Sequence, residues 1–189
     1  MKKILFIDRD GTIIKEAPPE YRVDAFSKLE FYPHVFRYLG AIARELDFEL
    51  VMVTNQDGLG RPEFPFEKFQ PVHDLVMKSF GNEGIVFSAV HIDDTYPEEH
   101  KPTRKPGTGM LLSYLDNPAY DIAGSFVIGD RITDMQLAHN LGCKGIWLKE
   151  DATLGAAEIT TTEKTLREAT IVLENPAWEA VYQYLSMPA

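Results

Sequence analysis

Lys3-Ile4-Leu5-Phe6-Ile7-Asp8-Arg9-Asp10-Gly11-Thr12 carries more structural information than any other stretch of this chain. Ile4 to Ile7 is an unbroken apolar run, which suits a strand covered on both faces, as in a parallel sheet. Such a strand delivers the residues after it to the crevice where open α/β sheets bind ligands. Here it delivers two acids, Asp8 and Asp10, then a glycine that permits a sharp turn, then the hydroxyl of Thr12. Two carboxylates this close repel unless a proton or a cation holds them together. Mg²⁺ takes hard oxygen ligands and commonly shares them with a phosphate, so the stretch suits phosphoryl transfer.

The whole chain agrees with an enzyme of that size. It has 189 residues, 44% hydrophobic and 25% charged, which predicts one globular domain over residues 1–189. No apolar run approaches the ~20 residues of a membrane span, and the run after Met1-Lys2-Lys3 is too short for a secretory signal. A single cysteine, Cys143, excludes an internal disulfide and fits a cytoplasmic location. The formal charge of −10 argues against a nucleic-acid partner but not against a small anionic substrate.

Further along, residues 13–31 contain Pro18-Pro19 and no helical period, and read as a loop or hairpin flap. Pro33 opens a helix with Val35, Phe36, Leu39, Ile42, Ala43 and Leu46 at helical spacing. Leu50 to Val53 is a second buried strand that runs into Thr54-Asn55-Gln56-Asp57-Gly58-Leu59-Gly60. A second helix, Pro65 to Phe80, has Phe66, Phe69, His73, Val76 and Phe80 on one face, with His73 as a structural histidine. Phe87 to Ile92 is a third strand, followed by an acidic loop, Arg104-Lys105-Pro106, and a helix bearing Met110, Leu111, Tyr114 and Leu115. Ser125 to Ile128 is a fourth strand closed by Gly129-Asp130-Arg131. Thr133 or Asp134 caps the next helix, Met135 to Leu141, and Gly142 ends it. Gly145 to Leu148, a short strand over Thr170 to Leu173, and a helix from Pro176 to Leu185 complete the chain, with nothing assigned over residues 149–168.

Four strand ends thus carry complementary polar chemistry: Asp8 and Asp10; Thr54 and Asn55; Lys105; and Asp130. In order and type they resemble the four motifs of the haloacid-dehalogenase-like (HAD) phosphatases over residues 2–148. The resemblance implies a three-layer Rossmann-like α/β fold: a mostly parallel sheet of five to six strands, with helices on both faces. By the same resemblance Asp8 is a nucleophile that forms an aspartyl-phosphate, and Asp10 is the general acid and base. Asp8, Asp130 and the backbone carbonyl of Asp10 would hold Mg²⁺. Thr54, the Asn55 backbone and Lys105 would hold the phosphoryl oxygens. Asp134 would support the metal ligands, cap its helix, or both, and Arg104 and Arg131 would either touch substrate or lie on the surface. The loops after the first and third strands are too short for an inserted domain with its own core, so a capless enzyme is expected.

Within the family, Asp8-Arg9-Asp10-Gly11-Thr12, Thr54-Asn55-Gln56-Asp57-Gly58-Leu59-Gly60 and Arg104-Lys105-Pro106 are most similar to the histidinol-phosphate phosphatases. That activity occurs as the N-terminal domain of a bifunctional histidine-biosynthesis enzyme, where it is fused to an imidazoleglycerol-phosphate dehydratase. Asp57 stands where related heptose-bisphosphate phosphatases tend to have Ser, and an acid there would pair with the amine or imidazole of histidinol phosphate. Relatives of this branch commonly hold a structural zinc through Cys-x-His and Cys-x-Cys; those positions here are Asp93, Thr95, Lys101 and Thr103, so no zinc is expected. The competing readings are hydrolysis of a sugar bisphosphate or a nucleotide 3′-phosphate, and a phosphate-binding domain without turnover.

Overall fold

The computed structural model describes residues 1–148 and 153–187. In chain order the elements are β1 (Lys3–Ile7), α1 (Val35–Glu45), β2 (Phe48–Asn55), α2 (Phe66–Asn82), β3 (Ala89–Asp93) and α3 (Leu112–Leu115). After them come β4 (Phe126–Gly129), α4 (Ile132–Leu141), β5 (Lys144–Trp147), α5 (Glu163–Ala169), β6 (Ile171–Glu174) and α6 (Trp178–Leu185). All adjacent strand pairs are parallel, in the order β3-β2-β1-β4-β5-β6. β1 is therefore central, and Ile4 to Ile7 are completely buried, as an unbroken apolar run requires.

Alternation along the strands divides the core into two layers. Leu5, Ile7, Leu50, Met52 and Ile128 face Val35, Leu39 and Ile42 of α1, Val72, Val76 and Phe80 of α2, and Trp178 and Val181 of α6. Ile4, Phe6, Val51, Val53 and Val127 face Leu111, Tyr114 of α3, and Leu137, Ala138 and Leu141 of α4. Each Val, Leu, Ile, Met or Phe among these side chains contributes about 1.5–3 kcal/mol by leaving water. Register completes the positioning, because Ile7 lies beside Met52 and Ile128. The residues just beyond, Asp8, Thr54 and Asp130, consequently meet at one edge of the sheet.

Several expectations shift in detail. β2 is longer than its apolar run, because Thr54 and Asn55 continue the ladder against Ile92 and Asp93 of β3. Phe66 opens α2 yet is 52% exposed, since it precedes the inward stripe and its ring lies over Gly60. The helix expected around Met110 is a 3-10 turn, Gly109–Leu111, running into the single turn of α3. Loop 13–31 has no separate core: Ile13, Ile14 and Val23 are buried in the main one, and Ile14 bridges antiparallel to Phe31. In the unassigned stretch, residues 149–152 lie outside the described residues, and α5 is an added helix capped by Thr162, whose hydroxyl accepts the Thr165 N–H. None of the described helices is long and apolar enough to cross a membrane.

Candidate active site

The turn after β1 is held from inside. Asp8 N–H donates to the Ile128 carbonyl at 2.9 Å, and the Arg9 carbonyl accepts from Ile13 and Ile14. Gly11 has φ +75°, and a Cβ there would collide with the Asp130 carboxylate. Glycine thus lets the first acidic turn touch the fourth. Each of these turns also rests on a tryptophan. Trp178 Nε1 donates to the Thr12 carbonyl at 2.9 Å, and Trp147 Nε1 to the Asp130 carbonyl at 2.7 Å.

Lys105 lies at the centre. Its ammonium is buried and donates to Asp8 Oδ1 at 2.6 Å and to Asp134 Oδ1 at 2.7 Å. Burial opposes the charged form, but the Asp134 and Asp8 carboxylates outweigh it and hold the lysine pKa above its usual range. Asn55 sets the height of this lysine with its side chain, a use of the residue that the sequence did not indicate. Its amide donates to the Lys105 carbonyl and accepts the Lys105 N–H, each at 3.0 Å. Asp134 both pairs with Lys105 and caps α4, accepting the Arg131 N–H at 3.1 Å.

Asp8, Asp130 and Asp134 each offer an oxygen within 4.8 Å of the others. Asp130 Oδ1 is buried with no hydrogen-bond partner. Burial, followed by the neighbouring Asp8 and Asp134 charges, raises the Asp130 pKa well above the carboxylate range. An orphaned, buried carboxylate oxygen beside two further hard oxygen donors fits a divalent cation such as Mg²⁺. The Asp10 side chain belongs to a different set. It accepts from Arg9 Nη1 at 2.7 Å and from Gln56 Nε2 at 2.6 Å. Burial raises its pKa despite the opposing pull of Arg9 and Gln56, so it retains a proton more readily than an exposed aspartate.

Around these residues is a cleft of about 280 Å³, whose lining includes Asp8, Asp10, Thr54, Asn55, Asp57, Arg104 and Lys105. Its outer wall differs from the expectation. Asp57 is not a free acid but receives Arg104 through Nη1 at 2.6 Å and Nη2 at 3.3 Å. Arg104 is itself buried rather than superficial; its Nε donates to Glu158 at 3.1 Å and its Nη1 to the Thr95 carbonyl at 2.8 Å. Arg131 pairs with Glu16 at 2.5 Å. Sequence reasoning missed Glu16 and Glu158 because neither periodicity nor motif type marks them, and it quoted Gln56 within a motif without giving its side chain a role. Glu158 comes from the stretch left unassigned.

Two side observations complete the map. His73 is buried, stacked on Phe69 at 5.2 Å and outside the cleft lining, and burial, helped by the Arg9 charge, pushes its pKa down to about 4. At the positions that the resemblance associates with zinc, Asp93 Oδ1 accepts the Thr95 N–H at 2.9 Å and its hydroxyl at 2.5 Å, while Oδ2 accepts the Thr103 hydroxyl at 2.6 Å. Hydrogen bonds thus tie this loop together.

Comparison with known proteins agrees with this geometry. The family model described as HAD-hydrolase-like matches residues 102–175, which include Lys105 and Asp130. Over 184 residues the chain is 52% identical to the histidine biosynthesis bifunctional protein HisB of Bacteroides fragilis (strain ATCC 25285), covering 97% of this chain and 47% of that protein. The chain belongs to the HAD-like family. A HisB of Spirosoma linguale is 46% identical over 192 residues, covering all of this chain and 50% of that protein. The HAD-like chain therefore spans about half the length of the curated relatives it matches. Among solved structures, a D,D-heptose 1,7-bisphosphate phosphatase from B. bronchiseptica, complexed with magnesium and phosphate, superposes with a TM-score of 0.77 at 25% identity, covering 98% of each chain. The corresponding enzyme from Burkholderia thailandensis, at 21% identity and a TM-score of 0.57, shares the fold.

Proposed function

We propose that this domain is a Mg²⁺-dependent phosphomonoesterase that converts histidinol phosphate and water to histidinol and phosphate, in the cytoplasm. The observation that carries the chemistry is the Lys105 ammonium between Asp8 and Asp134, beside the unpartnered oxygen of Asp130. With Mg²⁺ bound by Asp8, Asp130 and the Asp10 carbonyl, with Asp134 behind them, the cation would offset phosphoryl charge. An Asp8 oxygen attacks phosphorus while the bond to the leaving oxygen breaks, and Asp10 gives that oxygen its proton. Asp10 then takes a proton from water as the water attacks the aspartyl-phosphate, which frees Asp8 and phosphate. Lys105, the Thr54 hydroxyl and the Asn55 N–H hold the phosphoryl oxygens through both steps.

The outer wall favours a substrate with a cationic end. Glu16, Glu20, Asp57 and Glu158 line it against Arg22, Arg104 and Arg131. Arg104 is shared by two of those acids and Arg131 is taken by a third. These pairs leave four carboxylates against three guanidiniums, and that negative excess suits an ammonium or imidazolium better than a second phosphate. The likeness to a heptose-bisphosphate phosphatase supports a sugar bisphosphate as the second reading. The two HisB relatives, named bifunctional and twice this length, support a fusion to a dehydratase domain in the whole protein. Phosphate release with Mg²⁺ should be measured on histidinol phosphate, a heptose bisphosphate and a nucleoside 3′-phosphate. Histidinol phosphate should give the highest kcat/KM, and Asp8→Asn should abolish turnover. A different preferred substrate overturns the specificity, and undiminished turnover by Asp8→Asn overturns the mechanism.

A further inference from the structure

Gln56 has no role in the chemistry above, yet its amide touches two groups that do. Its side chain is 3% exposed, and Nε2 donates to Asp10 Oδ2 at 2.6 Å and to Thr54 Oγ1 at 3.0 Å. The Gln56 nitrogen, rather than its carbonyl oxygen, faces both the Asp10 carboxyl and the Thr54 hydroxyl. Both hydrogens of the NH₂ are then used, one on each partner. We propose that Gln56 is a positioning residue that aims the Asp10 carboxyl at the leaving oxygen and the Thr54 hydroxyl at the phosphoryl group.

Hydrogen-bond direction decides what the Thr54 hydroxyl can do. A hydroxyl has one proton and can also accept. By accepting from Gln56, Thr54 keeps its proton free to donate into the cleft. Asp10 is held from both sides, by Arg9 Nη1 on Oδ1 and by Gln56 on Oδ2, so the carboxyl plane cannot rotate. Removing the amide leaves a buried carboxylate oxygen without that donor and leaves the Thr54 proton undirected. Small misplacement of a proton donor costs about 10²-fold in rate. The inference rests on the phosphatase reading, and leaving-group dependence separates the two. An alkyl leaving group needs the Asp10 proton, whereas p-nitrophenolate departs without it, and kcat/KM reports the step in which the leaving group departs.

Gln56→Met and the isosteric Gln56→Glu are therefore compared with the wild type on histidinol phosphate, glycerol 3-phosphate and p-nitrophenyl phosphate, with folding checked by thermal melting. The expected result is a loss of about 10–100-fold in kcat/KM on the alkyl esters, at least about tenfold greater than the loss on the aryl ester. Equal losses on both classes, or no loss, overturn the positioning role. A wild type that releases phosphate from none of the three overturns the phosphatase reading itself, before any variant is made. Should neither variant fold, a crystal structure of the wild type with Mg²⁺ and tungstate gives the answer. Gln56 Nε2 still within hydrogen-bond reach of both Asp10 and Thr54 supports the proposal, and Gln56 turned to contact the oxyanion overturns it.

Discussion

Replacing Lys105 by methionine should destabilise the metal-free protein more than any surface substitution does. The ammonium lies between Asp8 and Asp134, at 2.6 and 2.7 Å, and Asp130 belongs to the same group within 4.8 Å. Methionine fills a similar volume but leaves buried carboxylates facing each other. Breaking a buried pair by deleting one partner costs about 3–5 kcal/mol. For a domain of this size each kcal/mol moves the melting point by about 2–4 °C, so a fall of roughly 6–20 °C is expected. The measurement is a thermal melt followed by circular dichroism at pH 7.5 in EDTA. Two companion melts identify the cause. Adding Asp134→Asn to Lys105→Met should restore about half of the loss, because it removes one of the stranded charges. Lowering the pH towards 5.5 should narrow the gap between variant and wild type. Asp130 and Asp134 have folded-state pKa values above their unfolded ones, so protonation favours the folded form as pH falls through those raised values. A Lys105→Met protein that melts within about 2 °C of the wild type in EDTA would refute the reasoning.

Two further substitutions probe separate parts of the architecture. Gly11→Ala places a methyl group against the Asp130 carboxylate at a positive φ, so it should lower Mg²⁺ affinity at least about tenfold, read as a loss of the Mg²⁺-induced rise in melting temperature. An unchanged Mg²⁺ response would mean that Asp130 is not where the cation binds. His73→Phe keeps the stack on Phe69 and removes a base whose pKa is lowered to about 4. Wild-type stability contributed by the neutral imidazole is intact above the unfolded pKa near 6.5 and declines as pH falls towards the folded one. Urea denaturation should therefore show about 2 kcal/mol more loss between pH 7 and pH 5 in the wild type than in the variant. Parallel curves would show that the fold does not lower the His73 pKa.

The central elements were legible because burial on both faces leaves a plain signature. Ile4 to Ile7 and Leu50 to Val53 are apolar without alternation, and each runs directly into polar residues, which marked both the parallel sheet and its functional edge. α5 was not legible, because only Leu166 of its seven residues is buried and one inward side chain makes no period. The partners of Asp57 and Arg104 were hidden for a different reason. Either residue alone looks like a surface charge awaiting a ligand; only the fold brings Glu158, distant in sequence, to the same guanidinium. Asp134 was legible in type but not in its double use, since Lys105 reaches it from a loop distant in sequence that Asn55 holds at the end of β2.

The two tryptophans lead to a practical end. Trp147 and Trp178 are the whole tryptophan complement of the chain; both are buried, and each indole N–H is fastened to a carbonyl in one of the acid-bearing turns. Emission excited at the red edge, beyond tyrosine absorption, therefore originates directly beneath Thr12 and Asp130. The molecule carries its own optical gauge of those turns, and titrations of cations or oxyanions can be followed without attaching any dye.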